Sequence, residues 1–232
     1  MKTIGLIGGT SWESTQIYYG HLNRLVQDRL GGHSSARLLL HSVNFAEFEP
    51  LMRAGKWDVL AERLCSCARQ VEAGGGECLL LCTNTMHRVA ECIEEAVDIP
   101  LLHIVDALGC ALQEDCIDTV GLLGTTFTAM DPSYSGRLKD RFGVRTLKPS
   151  EALQQRINAV IFEELCHGVV SDESRCEYQA AIDELHRAGC GGIILGCTEI
   201  GMLISPEDSP LPLYDTAHLH ACAAVDWALV QD

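Results

Sequence analysis

The heptapeptide IGLIGGT at residues 4–10 recurs as VGLLGTT at residues 120–126. Each copy is a short apolar run that ends in glycine and threonine, as expected for a buried parallel strand followed by a tight turn. A second pair follows in the same order, because LCTNT at residues 81–85 lies over LGCTE at residues 195–199. These ordered repeats predict that the chain consists of two similar halves.

Between the repeats, short apolar runs alternate with longer amphipathic stretches such as residues 14–30 and 57–74. The apolar runs predict strands at residues 3–6, 36–41, 78–81, 101–104, 119–123, 144–147, 192–195 and 211–214. This alternation is typical of α/β units around mostly parallel sheets. Ligands of open parallel sheets bind beyond the carboxyl ends of the strands, where the repeated turns lie. We therefore predict an α/β fold of two pseudo-symmetric domains. Each has a mostly parallel sheet flanked by helices, and the active-site cleft lies between them.

The formal net charge of −15 argues against partners that need basic surfaces, such as nucleic acids and anionic membranes. No apolar run is long enough to span a membrane, and the N-terminus lacks the charged and apolar regions of a signal peptide. We therefore expect a cytoplasmic protein with no nucleic-acid or membrane partner. In a reducing compartment the 12 cysteines are expected to be mostly free thiols.

Metal binding is not expected either. Cys65 and Cys67 form a C-x-C pair, and His218 and His220 form an H-x-H pair, but neither has a second ligand pair at the spacing of a zinc site. The first glycine turn also lacks the G-x-G-x-x-G and G-K-[ST] patterns of nucleotide-binding loops. The sequence predicts no structural metal and favours a small-anion site at Thr10 over a nucleotide site.

The register of the second repeat indicates which turn residues carry chemistry. It superposes Thr83 on Cys197, whereas Cys82 falls on Gly196. Successive residues of a strand point to opposite faces, so a shift of one residue turns a side chain away. We predict that Cys197 and Thr83 face the cleft and that Cys82 points into the core.

Local context favours chemistry at both turns, with a structural alternative for each. Cys197 follows an apolar run and precedes a predicted helix, where backbone N–H groups would lower the pKa of its thiol. It could instead be an ordinary buried cysteine. Thr83, Asn84 and Thr85 could bind a carboxylate with their hydroxyl, amide and backbone N–H groups, or they could simply cap a helix.

The chain resembles the aspartate/glutamate racemase family, and in particular its bacterial aspartate racemase branch. The resemblance covers nearly the whole chain and is carried by GLIGGTSWESTQIYY at 5–19, CTNTMH at 82–87, GLLGTTFT at 121–128, IFEEL at 161–165 and GCTEIGML at 196–203. It implies two α/β domains, the first formed by residues 1–98 and 210–232 because the last helix returns to it, and the second by residues 99–209. It also implies a homodimer.

The implied activity is racemisation of an acidic amino acid, L-aspartate or L-glutamate, without pyridoxal phosphate or another cofactor. In this family two thiols flank Cα, so that one removes the α-proton and the other protonates the opposite face. The usual first motif is Cys-Asn-Thr, but here it reads Thr83-Asn84-Thr85. We therefore expect Cys197 to deprotonate the L-substrate and Thr83 to reprotonate it to the D-amino acid.

The resemblance further implies a set of substrate contacts on the turns of both halves and on one helix. They are Thr10, Arg53, Asn84, Thr85, Thr125, Thr128, Thr198 and Glu199. Arg53 would bind a carboxylate with its planar guanidinium group, although it could also be an ordinary surface arginine. Cys166 stands where the family often has a lysine.

These departures leave other functions open. Loss of the lysine makes a broader-specificity amino-acid racemase a plausible alternative. Loss of the first thiol is compatible with a single-thiol decarboxylase or isomerase of the same superfamily. A third alternative is a catalytically degenerate protein that binds a small dicarboxylate.

Overall fold

The computed structural model describes residues 1–230, which fold into two compact units. One unit contains Met1–Ile104 together with the C-terminal segment from His220, and the other contains Val105–Leu219. Within the described residues, no helix combines the length and the hydropathy required to cross a bilayer.

The first unit is built on a parallel sheet with the strand order β2-β1-β3. Its strands are β1 (Ile4–Gly8), β2 (Leu38–Ser42) and β3 (Cys78–Leu81). Its helices are α1 (Trp12–Leu30), α2 (Phe45–Arg53), α3 (Trp57–Ala73) and α4 (Ala90–Glu94). Every residue of β1, the central strand, is buried, and so is every residue of β3 at the edge of the sheet, as expected for strands covered by helices on both faces.

The turn after β1 depends on Gly9. Its φ of 87° lies in the left-handed region that favours glycine, and a Cβ atom there would lie 2.1 Å from the carbonyl oxygen of Val43. The Gly9 N–H donates to Thr15 Oγ1 at 2.8 Å. Helix α1 then begins because the Ser11 side chain caps it, accepting a hydrogen bond from the Ser14 N–H. The turn therefore connects a buried strand to a capped helix in very few residues.

The second unit has a parallel sheet with the order β5-β4-β6-β7. Its strands are β4 (Thr119–Leu123), β5 (Arg145–Leu147), β6 (Gly192–Leu195) and β7 (Leu213–Asp215). Its helices are α5 (Ile104–Glu114), α6 (Thr126–Ala129), α7 (Pro132–Phe142), α8 (Glu151–Glu163) and α9 (Asp172–Arg187). A large apolar cluster of this unit joins β6 to residues of α8 and α9. The last helix, α10 (Thr216–Leu229), continues from this unit into the first.

The predicted pair of parallel α/β sheets is confirmed, and the strands of the two units follow the repeat. β1 and β4 carry the repeated heptapeptides, and β3 and β6 precede the two later turns. The strand predicted at residues 101–104 was wrong. Only Leu101 forms an isolated bridge, with Leu79, and Ile104 already begins α5.

The borders of the two units differ from the residues expected from the sequence, 98/99 and 209/210. β7 pairs in parallel with β6, which places residues 213–215 in the second sheet rather than the first. The N-terminus of the first unit contacts the end of α10, because the Lys2 N–H donates to the carbonyl oxygen of Ala228 at 2.9 Å.

Candidate functional site

Cys197 lies in a tight turn at the carboxyl end of β6. The expected α-helix after it is instead a short 3-10 turn at Ile200–Met202. The turn is held from behind, since the Gly196 N–H donates to the carbonyl oxygen of Leu123 at 2.6 Å. A Cβ atom at Gly196 would lie 2.9 Å from the carbonyl oxygen of Leu123, so the close approach of the two backbones favours glycine at this position. The backbone before Cys197 is therefore firmly placed.

The carboxylate of Glu199 is the acceptor at the centre of this turn. Its Oε2 accepts hydrogen bonds from the Cys197 thiol at 2.9 Å and from the Thr198 hydroxyl at 2.6 Å. The Cys166 thiol makes a longer contact, 4.0 Å, with Oε1. Thr198 and Glu199 are buried, whereas Cys166 and Cys197 are partly exposed. Two thiols therefore share one buried carboxylate.

This environment raises the pKa of the Cys197 thiol well above its ordinary value, and the predicted lowering was wrong. Burial is the largest cause, and the negative charge and hydrogen bond of Glu199 add to it. The backbone N–H of Glu199 acts in the expected direction, but its effect is smaller. The resting group is therefore a protonated thiol whose proton already points at a carboxylate.

In the turn after β4, the predicted contact residues Thr125 and Thr128 hydrogen-bond to each other. Thr125 caps α6, since its hydroxyl oxygen accepts from the Thr128 N–H at 3.3 Å. Both threonines are buried. Sequence reasoning missed Gln154, whose Nε2 donates to the carbonyl oxygen of Gly124 at 2.8 Å. No sequence motif points to this glutamine, because it reaches the turn from the first turn of α8, about 30 residues later in the chain.

In the first unit, Cys82 and Thr83 follow β3 directly, and their side chains differ in burial. Cys82 is fully buried, and burial raises the pKa of its thiol, so the prediction that it points into the core is confirmed. Its backbone is held by the carbonyl oxygen of Ile7, at 2.9 Å, and by the Ser14 hydroxyl, at 2.7 Å. Thr83, the next residue, is partly exposed.

The remaining predicted contacts of this unit lie in different settings. Asn84 is buried, and Thr85 begins a 3-10 turn at Thr85–Val89. The buried Oγ1 of Thr10 has no hydrogen-bond partner among residues 1–230, which leaves it available to a ligand. Arg53, in the last turn of α2, is 59% exposed and pairs with Glu49. To bind a substrate carboxylate as predicted, Arg53 would have to release Glu49 or bind both carboxylates.

Three histidines are buried behind the Thr83 turn. His87, His103 and His220 are each at most 9% exposed. The rings of His87 and His103 lie 4.6 Å apart, and those of His87 and His220 lie 5.6 Å apart. We call them the histidine cluster. No three His, Cys, Asp or Glu side chains in the described part of the chain are arranged to bind a metal ion.

The model of the Asp/Glu/hydantoin racemase family matches residues 7–224. The chain belongs to this family. The Yersinia pestis structure assigned as an Asp/Glu racemase is 44% identical, with a TM-score of 0.93 over 99% of this chain and 100% of that one. An aspartate racemase homologue from Pyrococcus horikoshii is 28% identical, with a TM-score of 0.86 over 98% and 99%. The aspartate racemase of Picrophilus torridus shares the fold, with 19% identity and a TM-score of 0.78 over 98% and 94%.

As a member of the racemase family, this chain departs from the pattern implied by its motifs at two positions. Thr83 stands where the resemblance implies the first thiol, and Cys166 stands where it implies a lysine. Both changes exchange one protonatable group for another of different charge or acidity. Cys197 stands where that pattern has its second thiol, and it donates a hydrogen bond to Glu199 Oε2.

The histidine cluster of this racemase family member predicts loss of stability in mild acid. His220 is buried between its own hydrogen bonds, with its Nδ1 2.8 Å from the Tyr18 hydroxyl and its Nε2 2.6 Å from the carbonyl oxygen of Leu102. Burial lowers the pKa of His220 from 6.5 to about 4. Between these values the unfolded chain binds a proton that the folded chain excludes. The free energy of unfolding is therefore expected to fall by about 3 kcal/mol as the pH drops from 6.5 to 4.

Urea unfolding across this pH range measures the loss. Glutamine at position 220 keeps an amide donor for Leu102 but cannot titrate, so His220→Gln should flatten the pH dependence. The exposed His33 provides the matched control, because His33→Gln should leave the slope unchanged. An equal slope in wild type and His220→Gln would contradict the assignment.

Proposed function

We propose that this protein racemises an acidic amino acid, L-aspartate or L-glutamate, without a cofactor. Cys197 removes the α-proton of the L-substrate, and Thr83 supplies a proton to the opposite face of Cα. The hydrogen bond from the Cys197 thiol to Glu199 Oε2, at 2.9 Å, is the observation that carries this proposal. Family membership supports the reaction type.

Glu199 is proposed to accept the thiol proton when substrate binds. Burial and the carboxylate keep the free Cys197 protonated. An incoming amino acid brings a positive α-ammonium group, which would stabilise a thiolate beside it. The proton then has an acceptor within hydrogen-bonding distance, and the thiolate so formed is the base that attacks the Cα–H bond. Glu199 therefore acts through Cys197, as a positioning and proton-accepting group, rather than through the substrate contact expected from the sequence.

Replacing Glu199 with glutamine tests this role. We expect kcat to fall by about 10²-fold, because the thiol loses its proton acceptor. The pKa of the Cys197 thiol should fall at the same time, since the negative charge that raises it is removed. The rise of kcat/KM with pH should therefore move to lower pH. Glu173→Gln on the exposed start of α9 is the control. An unchanged pH profile would contradict the role of Glu199.

The substrate side chain is the less constrained part of the proposal. Cys166 contacts Glu199 at the position where the family pattern has a lysine, so this site offers a thiol instead of a cation to a distal carboxylate. That observation supports a second candidate, a broader-specificity racemase that also accepts neutral amino acids. Homodimeric assembly and a cytoplasmic location remain predictions.

The Cys166→Lys variant separates the two candidates. If an acidic side chain binds beside residue 166, the added cation should lower the KM for aspartate or glutamate by about 10-fold relative to a neutral amino acid. Cys176→Lys, at an exposed cysteine of α9, controls for the change in net charge. Equal KM changes for acidic and neutral substrates would place the side chain elsewhere.

The proposed reaction is tested by incubating the protein with L-aspartate or L-glutamate in D₂O. Chiral chromatography should show the D-enantiomer, and mass spectrometry should show deuterium at its Cα. Loss of CO₂ would instead indicate a decarboxylase. Thermal stabilisation by the amino acid without inversion or exchange would indicate a binding protein. Either result would overturn the proposal.

A further inference from the structure

His87 contacts the backbone on both sides of its ring. Its Nδ1 lies 2.8 Å from the carbonyl oxygen of Thr83, four residues earlier. Its Nε2 lies 3.2 Å from the backbone nitrogen of Ile104, which can only donate a hydrogen bond. The imidazole therefore connects the turn of Thr83 to the start of α5.

These two partners determine the protonation state of the ring. Because the Ile104 N–H donates, Nε2 must carry a lone pair. Because the Thr83 carbonyl oxygen accepts, Nδ1 must carry the hydrogen. Only the neutral Nδ1–H tautomer satisfies both hydrogen bonds. The Nε2–H tautomer or an imidazolium would direct an N–H group at the N–H of Ile104.

The histidine cluster contacts the two segments at which the chain leaves the first unit and returns to it. The backbone of Leu102 and Ile104, on either side of His103, bonds to His220 and His87 respectively. The chain leaves the first unit after Ile104 and returns to it at His220. The ring that holds the Thr83 carbonyl is thus packed against the segments where the chain passes between units.

We propose that His87 is a positioning residue that holds the Thr83 peptide, and with it the Thr83 hydroxyl, in the geometry needed for proton transfer. This rests on the proposed function of Thr83. The residue touches no reacting atom, and it acts through one hydrogen bond to the carbonyl oxygen of its neighbour. Misplacement of a catalytic group by about 1 Å can cost about 10²-fold in rate, so a single backbone contact of this kind is sufficient.

Two substitutions each keep one of the two hydrogen bonds of His87 and remove the other. The amide nitrogen of asparagine corresponds to Nδ1, so His87→Asn keeps a donor for Thr83. The amide oxygen of glutamine corresponds to Nε2, so His87→Gln keeps an acceptor for Ile104 and loses the bond to Thr83. We expect kcat within about 3-fold of wild type for His87→Asn and about 10- to 100-fold lower for His87→Gln, with KM changed less than kcat in both.

Equal losses of kcat in the two variants, or full activity in both, would overturn the proposal. Thermal unfolding of each variant shows that the comparison is between folded proteins. ¹⁵N NMR of the wild-type histidines gives a test that needs neither variant nor activity: His87 should show a protonated Nδ1 and an unprotonated Nε2. The opposite tautomer would overturn the positioning role directly. The expected tautomer in a protein that does not racemise would instead refute the proposed function.

Discussion

Replacing Cys197 with alanine is expected to reduce kcat/KM for racemisation by at least about 10³-fold in both directions. In the proposed mechanism this thiol is the group that exchanges a proton with one face of Cα. Alanine removes it and also removes a donor to the buried Glu199 carboxylate. Serine would restore the hydrogen bond but not the acidity, since an alcohol is a far weaker acid than a thiol. Cys197→Ser should therefore remain close to alanine in activity.

Chiral chromatography of the product after incubation with each enantiomer measures the effect. Cys176→Ala, which removes an exposed thiol on α9, is the matched control and should retain wild-type activity. Racemisation by Cys197→Ala within about 10-fold of wild type would show that another group is the base.

Replacing Thr83 with alanine is expected to reduce kcat/KM by about 10²-fold, because the second face of Cα loses its proton donor. Free enantiomers have equal energies in water, so kcat/KM must be equal in the two directions for any true racemase. Thr83 can therefore change kcat and KM separately in each direction, but it cannot make the reaction irreversible. Since an alkoxide is hard to form near neutral pH, Thr83 should limit kcat from the D-enantiomer most strongly.

The Thr83→Cys variant tests whether the weak basicity of the hydroxyl limits kcat from the D-enantiomer. A thiol of pKa about 8.5 is a far better base than a hydroxyl, so kcat from the D-enantiomer should rise. Thr3→Ala, just before β1 in the same unit, is the control. Full racemisation by Thr83→Ala would refute the role of this residue, whatever the behaviour of the cysteine variant.

The sequence predicted the fold well where one strand repeats another. β3, β4 and β6 begin and end at the predicted residues, because continuous apolar runs bounded by turns leave little choice for a buried parallel strand. Leu101 was overpredicted as a strand. Its run is apolar, but α5 begins at Ile104, and periodicity alone does not distinguish short buried strands from the start of a buried helix.

The site was predictable only where the register of a repeat decides it. Strand alternation correctly turned Cys82 into the core. The raised pKa of the Cys197 thiol was not predictable, because it depends first on the burial of the thiol and then on the direction in which the Glu199 carboxylate folds back within its turn. The contact of His87 with the Thr83 carbonyl depends on how the side chain turns back within four residues. The packing of His220 behind it joins segments far apart in the chain, and no local pattern indicates it.

In the proposed mechanism two different residues act on opposite faces of Cα, and the position of deuterium early in the reaction distinguishes this from transfer by a single residue. The protein is incubated with the L-substrate in D₂O and sampled before about one tenth has been converted. Two-face transfer predicts that the D-product carries solvent deuterium at Cα while the remaining L-substrate keeps its original hydrogen. Deuterium appearing equally in the residual L-substrate, or a D-product that retains the original hydrogen, would show that one group serves both faces and would contradict the account.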